Sequence, residues 1–170
     1  ANEILLATGS GLYRSTDGER FSRVAASALA TATELTILIR TSTGYRLGSA
    51  NGRIYSSVDG LAWQEQTDTD GPEITEMAEG QRGLYVATKG GVLFRLTTSA
   101  VDVLIDPTVD TRFADADSMK IAVAPVGNQD RIYVGTQVAV SAARRSAGKV
   151  FVSSTSGMTF EQARGMGGSS

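Results

Sequence analysis

The chain has 170 residues, 41% of them hydrophobic, and a formal net charge of -2, which suits a compact domain with a buried core and argues against disorder. It contains no cysteine and no histidine, so disulfides, thiolate metal sites, catalytic thiols and Ser-His-Asp triads are excluded. The charges are balanced and dispersed, and no apolar run approaches the roughly 20 residues of a membrane helix; we therefore expect neither nucleic acid binding nor membrane insertion, and we predict no cofactor.

The composition indicates an all-β fold. The 19 glycines, the three prolines and the Val, Ile, Thr and Tyr runs between Gly, Ser and Asp are typical of short strands joined by tight turns. A recurring unit begins with an alternating strand that ends in a small residue and a hydroxyl residue. Its four copies are residues 4–8, 45–49, 84–88 and 132–136.

In each copy a glycine-containing turn leads to a second strand with an aromatic residue, the pattern of a β-hairpin. The first strands are separated by 41, 39 and 48 residues, measured between Ala7, Gly48, Ala87 and Gly135. This is close to the period of about 40 to 45 residues of a four-stranded propeller blade. The sequence therefore predicts a β-propeller segment of about four four-stranded antiparallel blades, as part of a larger ring.

Other strand-like segments complete the predicted blades. Inner strands are predicted at residues 34–40, 74–78 and 119–124, and outer strands at 21–24, 63–66, 101–105 and 159–162. We expect one propeller segment over residues 1–170, with blades at about 1–24, 33–67, 73–106 and 118–164. The first blade has no inner strand of its own, so we expect a longer polypeptide or another chain to supply it.

A Ser-x-Asp-Gly turn followed by an aromatic residue comes after the second strand of two units. We expect the carboxylate to fold back onto N–H groups of the turn, the glycine to take a positive φ, and the aromatic ring to pack between sheets. In a third copy serine replaces the aspartate. The copies are Ser15, Asp17, Gly18 and Phe21; Ser57, Asp59, Gly60 and Trp63; and Ser154, Ser156, Gly157 and Phe160.

These turns and hairpins resemble the Asp-box, or BNR, repeat family of β-propellers, whose blades occur in sialidases, xyloglucan-type glycosidases, sortilin-like receptors and photosystem assembly factors. The copies here are a shortened variant, and the third unit has lost the turn around residues 97–100. The resemblance implies a ring of six or more blades and a structural turn that lies away from the usual ligand face. It also implies that Asp17 and Asp59 are not an acid/base pair.

Two stretches are longer than the repeat requires. Residues 106–118 form either a solvated acidic loop or a calcium-binding or partner-contacting loop, since carboxylates are suitable calcium ligands. Residues 137–147 form either a solvated loop or one for protein contact, whose arginines suit carboxylates, phosphates or anionic sugars. The candidate contact residues are Asp110, Arg112, Asp115, Asp117, Arg144 and Arg145.

The sequence thus predicts a non-enzymatic interaction or structural module, with no catalytic, cofactor or metal residues. We expect protein partners or neighbouring subunits, as in a virion or a cell-surface complex, with glycans as a second class of partner. The alternative is part of a sialidase-like or xyloglucanase-like enzyme, which needs two carboxyl groups across the scissile bond. Residues of suitable type, none of them in the arginine-proline motif of sialidases, are Glu34, Arg40, Tyr45, Arg46, Glu76 and Glu79.

Overall fold

Apart from two short 3-10 helices, the regular secondary structure consists of β-strands. The computed structural model describes residues 3–32, 34–68, 71–114, 116–137 and 148–163. Within these ranges the strands form four antiparallel sheets, and in each sheet strands that are consecutive in the chain are neighbours. The predicted all-β class and the repeated sheets are confirmed. The chain divides into two compact units, Ala1–Ile74 (unit 1) and Thr75–Ser170 (unit 2).

Unit 1 contains the first two sheets. Sheet 1 consists of β1 (Ile4–Thr8), β2 (Gly11–Ser15) and β3 (Ser22–Arg23). Sheet 2 consists of β4 (Leu35–Thr41), β5 (Gly44–Ser49), β6 (Arg53–Ser57) and β7 (Gln64–Asp68). The 3-10 helix Ser27–Thr31 lies between the two sheets in the chain. Sheet 1 therefore has three described strands where sheet 2 has four.

The other two sheets belong to unit 2, apart from Ile74 at the boundary. Sheet 3 consists of β8 (Ile74–Gly80), β9 (Gly83–Thr88), β10 (Leu93–Leu96) and β11 (Val101–Ile105). Sheet 4 consists of β12 (Ser118–Val126), β13 (Gln129–Gln137), β14 (Val150–Ser153) and β15 (Glu161–Gln162). The 3-10 helix Thr111–Phe113 precedes sheet 4. None of the described helices is long and apolar enough to cross a membrane.

Glycine at the start of β9 is required by a close backbone approach. Gly83 has φ 140, and a Cβ atom there would lie 2.5 Å from the carbonyl oxygen of Leu96. Such an approach is open only to a residue without a side chain. It accompanies the pairing of Leu84 with Leu96, which sets the register of β9 against β10.

Alternation along the strands builds a hydrophobic core in each unit. In β13, for example, Ile132 and Val134 are buried while Tyr133 between them is exposed. The core of unit 1 contains Leu12, Leu35, Leu47, Tyr55 and Trp63. The core of unit 2 contains Tyr85, Ala87, Leu93, Ile105, Phe113, Ala116, Met119, Ile132, Val134, Phe151 and Phe160.

The predicted glycine-containing turns are present in the second and third hairpins. Gly52 N donates to Ser49 O at 3.1 Å, and Gly91 N donates to Thr88 O at 3.2 Å, so both glycines close a turn. The strands that follow these turns begin at Arg53 in β6 and at Leu93 in β10.

Candidate functional site

The first Ser-x-Asp-Gly turn is held by its own side chains. Asp17 Oδ1 accepts from the backbone N–H groups of Glu19 and Arg20, both at 2.9 Å, and from Ser15 Oγ at 3.0 Å. Ser15 Oγ accepts from Gly18 N at 2.8 Å, and Gly18 has φ 82. The bonds from Arg20 N and Glu19 N lower the pKa of Asp17 below its usual value, because they stabilise the ionised form.

The second turn repeats this geometry in sheet 2. Asp59 Oδ1 accepts from Leu61 N at 2.9 Å and from Ala62 N at 3.0 Å, and Ser57 Oγ accepts from Gly60 N at 2.8 Å. Gly60 has φ 75. The bonds from Ala62 N and Leu61 N lower the pKa of Asp59. In both turns the carboxylate folds back onto turn N–H groups and the glycine has a positive φ, as the sequence predicts.

The third copy uses different residues from those predicted. Ser153, not Ser154, occupies the serine position, because its Oγ accepts from Gly157 N at 2.9 Å. Thr155 takes the place of the aspartate and accepts from Thr159 N at 3.0 Å. An extra residue, Ser156, adopts a left-handed conformation with φ 54. The assignment of Ser154 and Ser156 was therefore shifted by this insertion, and Ser154 is exposed.

The aromatic residue is buried in two of the three turns. Trp63 of sheet 2 is 5% exposed and shares a core with Leu12 of sheet 1; Phe160 of sheet 4 is 6% exposed and shares a core with Leu93 of sheet 3. Phe21 of sheet 1 is 43% exposed, so among the described residues it does not pack between two sheets as predicted. The reason is that no described sheet precedes sheet 1 in unit 1.

The turn glycines show the same difference. A Cβ atom on Gly60 would lie 2.6 Å from Leu5 Cδ1 of sheet 1, and one on Gly157 would lie 2.5 Å from Leu104 Cδ1 of sheet 3. At Gly60 and Gly157 a leucine of the preceding sheet therefore lies where a side chain would be. At Gly18 such a Cβ atom would have only Ile4 Cδ1 of the same sheet nearby, at 3.7 Å. The turn of sheet 1 is thus of the same type as the other two, but no described sheet contacts it in this way.

The centre of the long connection before sheet 4 is packed into the core of unit 2. Phe113 is fully buried, with its ring 4.4 Å from that of Phe151 and 6.2 Å from that of Phe160. Ala116 is also buried. The interpretation of this segment as a solvated loop is therefore wrong for these residues, and the sequence reasoning missed Phe113. An aromatic residue between acidic ones was the signal that could have found it.

The predicted contact residues of this connection include an ion pair. Asp110 Oδ2 accepts from Arg112 Nη2 at 2.6 Å, and Arg112 Nη1 donates to Phe160 O at 2.7 Å. The Arg112 pairing lowers the pKa of Asp110. Asp117 is exposed, and its backbone N–H donates to Gln137 O at 2.9 Å.

The remaining candidates of the two long stretches are Asp115, Arg144 and Arg145, which lie outside the described residues. Among the residues that the structure does describe, no cluster of three or more Asp, Glu, His or Cys side chains could hold a metal ion. The calcium-binding alternative for residues 106–118 has no support from the described part of that segment.

Asp130 carries a buried carboxylate that the sequence reasoning missed. Its oxygens accept from Gln81 N at 2.9 Å, Arg82 N at 2.8 Å and Tyr85 Oη at 2.8 Å. Its backbone N–H donates to Ser156 Oγ at 3.0 Å. Burial, and then the bond to Asp130, raise the pKa of Tyr85 to about 12. Asp130 thus joins the β8–β9 turn of sheet 3 to the third Ser-x-Asp-Gly-like turn of sheet 4.

The residue types that an enzyme would need are distributed over both units. Arg46 Nη1 donates to Tyr45 O at 3.0 Å, and the Arg40 guanidinium carbon lies 6.0 Å from the Tyr45 ring. Glu76 in unit 2 accepts from Lys120 at 2.8 Å. Glu34 lies at the end of the connection that precedes β4, and Glu79 lies in β8.

Comparison with known proteins gives a likeness of fold alone. No protein-family model and no curated protein matches the chain. A chain in the structure of an S. cerevisiae Dbp5 variant bound to Nup159, a Gle1 variant, IP6 and ADP is similar, with a TM-score of 0.56 and 11% identity. The match covers 96% of this chain and 45% of that chain. This chain therefore spans about half the length of the protein it resembles.

Proposed function

We propose that the chain is part of an Asp-box β-propeller that serves as a non-enzymatic platform for protein or glycan contact, within a larger protein or an assembly such as a virion or a cell-surface complex. Three four-stranded sheets, one three-stranded sheet and two turns with the same Ser-Asp-Gly hydrogen bonds support the propeller.

The unfilled contact face of sheet 1 carries the proposal. Within each unit, the second sheet places a buried aromatic and a turn glycine against the first sheet. Sheet 1 has the same turn, yet Phe21 is exposed and so are Ile4 and Leu6 of β1, at 43% and 49%. Exposed apolar side chains beside an unpaired edge strand are typical of a surface that another chain segment covers. We infer that a sheet preceding sheet 1 contacts Phe21. We also infer that a strand next to that sheet pairs with the edge strand β1.

The engagement of the carboxylates supports a non-enzymatic role. Asp17 and Asp59 each accept two backbone N–H bonds within their turn. Their pKa values are lowered, whereas a general acid at neutral pH needs a raised one. Asp130 is buried and accepts from three donors. These carboxylates act as acceptors that hold turns together.

Site-directed cross-linking tests the proposed contact face. The chain has no cysteine, so Glu19→Cys introduces a single photo-cross-linker attachment point beside Phe21 without changing it. Val58→Cys, in the equivalent turn of sheet 2, is the matched control. In the protein purified in its native assembly, we expect cross-links from position 19 to another chain segment, few from position 58, and loss of the former on adding Phe21→Ser.

Two results would contradict the proposal. Equal cross-linking from positions 19 and 58, unaffected by Phe21→Ser, would show that sheet 1 is not the contact face. Hydrolysis of sialosides or xyloglucan by the purified assembly, abolished by substituting Glu34 or Glu76, would place this chain in a carbohydrate-active enzyme.

A further inference from the structure

The outer strands of the four sheets differ in composition. Three of the described outer strands carry exposed polar side chains, and two of these three are only two residues long. They are β3 (Ser22–Arg23), β7 (Gln64–Asp68) and β15 (Glu161–Gln162). Short or charged strands are a common protection of a sheet edge against pairing with other chains.

β11, the outer strand of sheet 3, has no such protection. It runs over Val101–Ile105, and Val101 and Val103 are 50% and 62% exposed. The five residues include no lysine and no proline. β10 pairs with one side of β11, and none of the described strands pairs with the other side. The free side of β11 therefore presents unpaired backbone N–H and C=O groups beside two apolar side chains.

Sheet 3 also lacks the Ser-x-Asp-Gly turn. Thr97 N donates to Ala100 O at 2.9 Å and Thr97 Oγ1 accepts from Ala100 N at 3.0 Å, so a tight turn joins β10 to β11. In sheets 2 and 4 the turn ends in a buried aromatic residue, Trp63 or Phe160, directly before the outer strand. The loss of the turn and the apolar outer strand thus occur in the same sheet.

The side chains of β11 differ between its two faces. Val101 and Val103 lie on one face, because residues two apart in a strand share a face. Asp102 lies on the other face, where its Oδ2 accepts from Arg95 Nη2 at 2.7 Å. Asp106 follows the strand directly. The edge therefore has valines on one face and a carboxylate on the other, with a second carboxylate at its end.

The charge around this edge is negative. Between Arg95 and Arg112 the chain has three aspartates and no basic residue. Arg95 pairs with Asp102. Arg112 pairs with Asp110, and among the described residues no lysine or arginine pairs with Asp106. Two copies of this edge side by side would bring like charges together, which is destabilising. A basic strand from another polypeptide fits better.

We propose that the free edge of β11 binds an extended segment of a partner polypeptide as a fifth strand of sheet 3, and that this segment alternates β-branched apolar residues with lysine or arginine. Backbone pairing supplies the affinity of such a strand, and its side chains supply the specificity. Its apolar residues pack on Val101 and Val103, and its basic residues lie near Asp102 and Asp106. The inference rests on the proposed function in that the partner is a protein, but it uses a different sheet from the contact face around Phe21.

A nine-residue peptide of alternating lysine and valine, with lysine at both ends, is the probe. The fluorescein-labelled peptide is titrated with the full chain, and binding is followed by fluorescence anisotropy. We expect saturable binding that weakens at least tenfold when an inner valine of the peptide is replaced by proline, because proline cannot donate a strand hydrogen bond. Salt should weaken the binding as well, since the charges are exposed.

Variants of the protein locate the binding. Val103→Lys puts a cation on the edge, and we expect it to lower affinity at least tenfold. Gln66→Lys adds the same charge at an exposed position of β7 and should leave affinity unchanged. Val103→Thr keeps the β-branched shape, should lower affinity several-fold, and keeps the test valid if Val103→Lys does not fold. Asp106→Asn should reduce the salt dependence.

Amide hydrogen exchange identifies the strand that the peptide joins. We expect the amides of β11 to exchange at least tenfold more slowly in the complex, and those of β7 to be unchanged. The edge of β1 has no described neighbour either. Protection confined to β1 would overturn this inference and would leave the proposed function standing.

Three further results would overturn the proposal. They are the absence of saturable binding, an affinity that Val103→Lys leaves unchanged in folded protein, and a dimer of the chain in sedimentation velocity that Val103→Lys abolishes. The dimer would mean that a second copy occupies the edge. Cross-linking from position 19 is measured separately, so failure of the β11 edge and failure of the contact face of sheet 1 are distinguishable.

Discussion

The connection from sheet 1 to sheet 2 (residues 24–34, connector 1) and the connection from sheet 3 to sheet 4 (residues 106–117, connector 2) share a turn and its two hydrogen bonds. Connector 1 borders an open pocket, whereas connector 2 completes a core. The difference lies in the side chains. Connector 2 presents Phe113 and Arg112, whereas connector 1 presents Leu29 among alanines. A repeated backbone therefore does not fix what each repeat does, because packing is decided by the volume and charge of a few residues.

The largest expected effect is the loss of the Phe113 ring. Phe113→Ala removes a fully buried aromatic and should lower the free energy of unfolding by about 3 to 5 kcal/mol. Leu29→Ala is the matched change in unit 1, and because Leu29 is half-buried beside an existing pocket we expect about 1 kcal/mol. Urea unfolding of both variants, followed by far-UV circular dichroism, measures the two values. Equal losses would contradict the assignment of one connector as packed and the other as open.

A smaller effect is expected at the buried carboxylate of unit 2. Asp130→Asn leaves fewer acceptors for Gln81 N, Arg82 N and Tyr85 Oη, so we expect it to lower the free energy of unfolding by about 2 to 3 kcal/mol. Tyr85→Phe removes one of the three donors and should lower the free energy of unfolding by about 1.5 kcal/mol. Chemical denaturation provides both numbers, and a neutral Asp130→Asn would show that the carboxylate does not join the two sheets.

The raised pKa of Tyr85 predicts that the protein loses stability at alkaline pH. Its folded pKa of about 12 lies above the usual value of 10, so its contribution is complete below pH 10 and is lost as pH rises from about 10 to 12. The stability of Tyr85→Phe should be less pH-dependent over this range. Identical pH profiles for the two proteins would contradict the buried contact with Asp130.

The smallest effects concern the two Ser-x-Asp-Gly turns. Asp17 and Asp59 have lowered folded pKa values, so their contributions are present above the ordinary value near 3.8 and are lost as pH falls below it. Asp59→Asn should lower Tm by roughly a few degrees, and more than Asp17→Asn does, because the turn of Asp59 orients buried Trp63 while Phe21 is exposed. Thermal melts at pH 7 and pH 3 test this; a larger effect of Asp17→Asn would contradict it.

The strands could be predicted because each leaves a local signal. Alternation and glycine turns predicted the hairpins of sheets 1 to 4, and three strands of sheet 1 are described. In the first two turns the Asp and Gly positions alone predicted the hydrogen bonds, since those bonds join residues no more than three apart.

Contacts between distant residues left no such signal. Asp130 meets Gln81 and Arg82 across nearly 50 residues, and no local pattern marks it as buried. The exposure of Phe21 depends on which sheets flank its own, which its sequence motif does not contain. The insertion at Ser156 changed the third turn by one residue, so matching it to the motif gave the wrong serine.

The most direct test of the account is amide hydrogen exchange of β1 and of residues 15–21, compared between the isolated chain and its native assembly. If a preceding sheet covers sheet 1, the outward-facing amides of β1 should exchange rapidly in the isolated chain and at least a hundredfold more slowly in the assembly. Equal exchange in the two states would show that nothing pairs with β1 and would contradict the proposed platform.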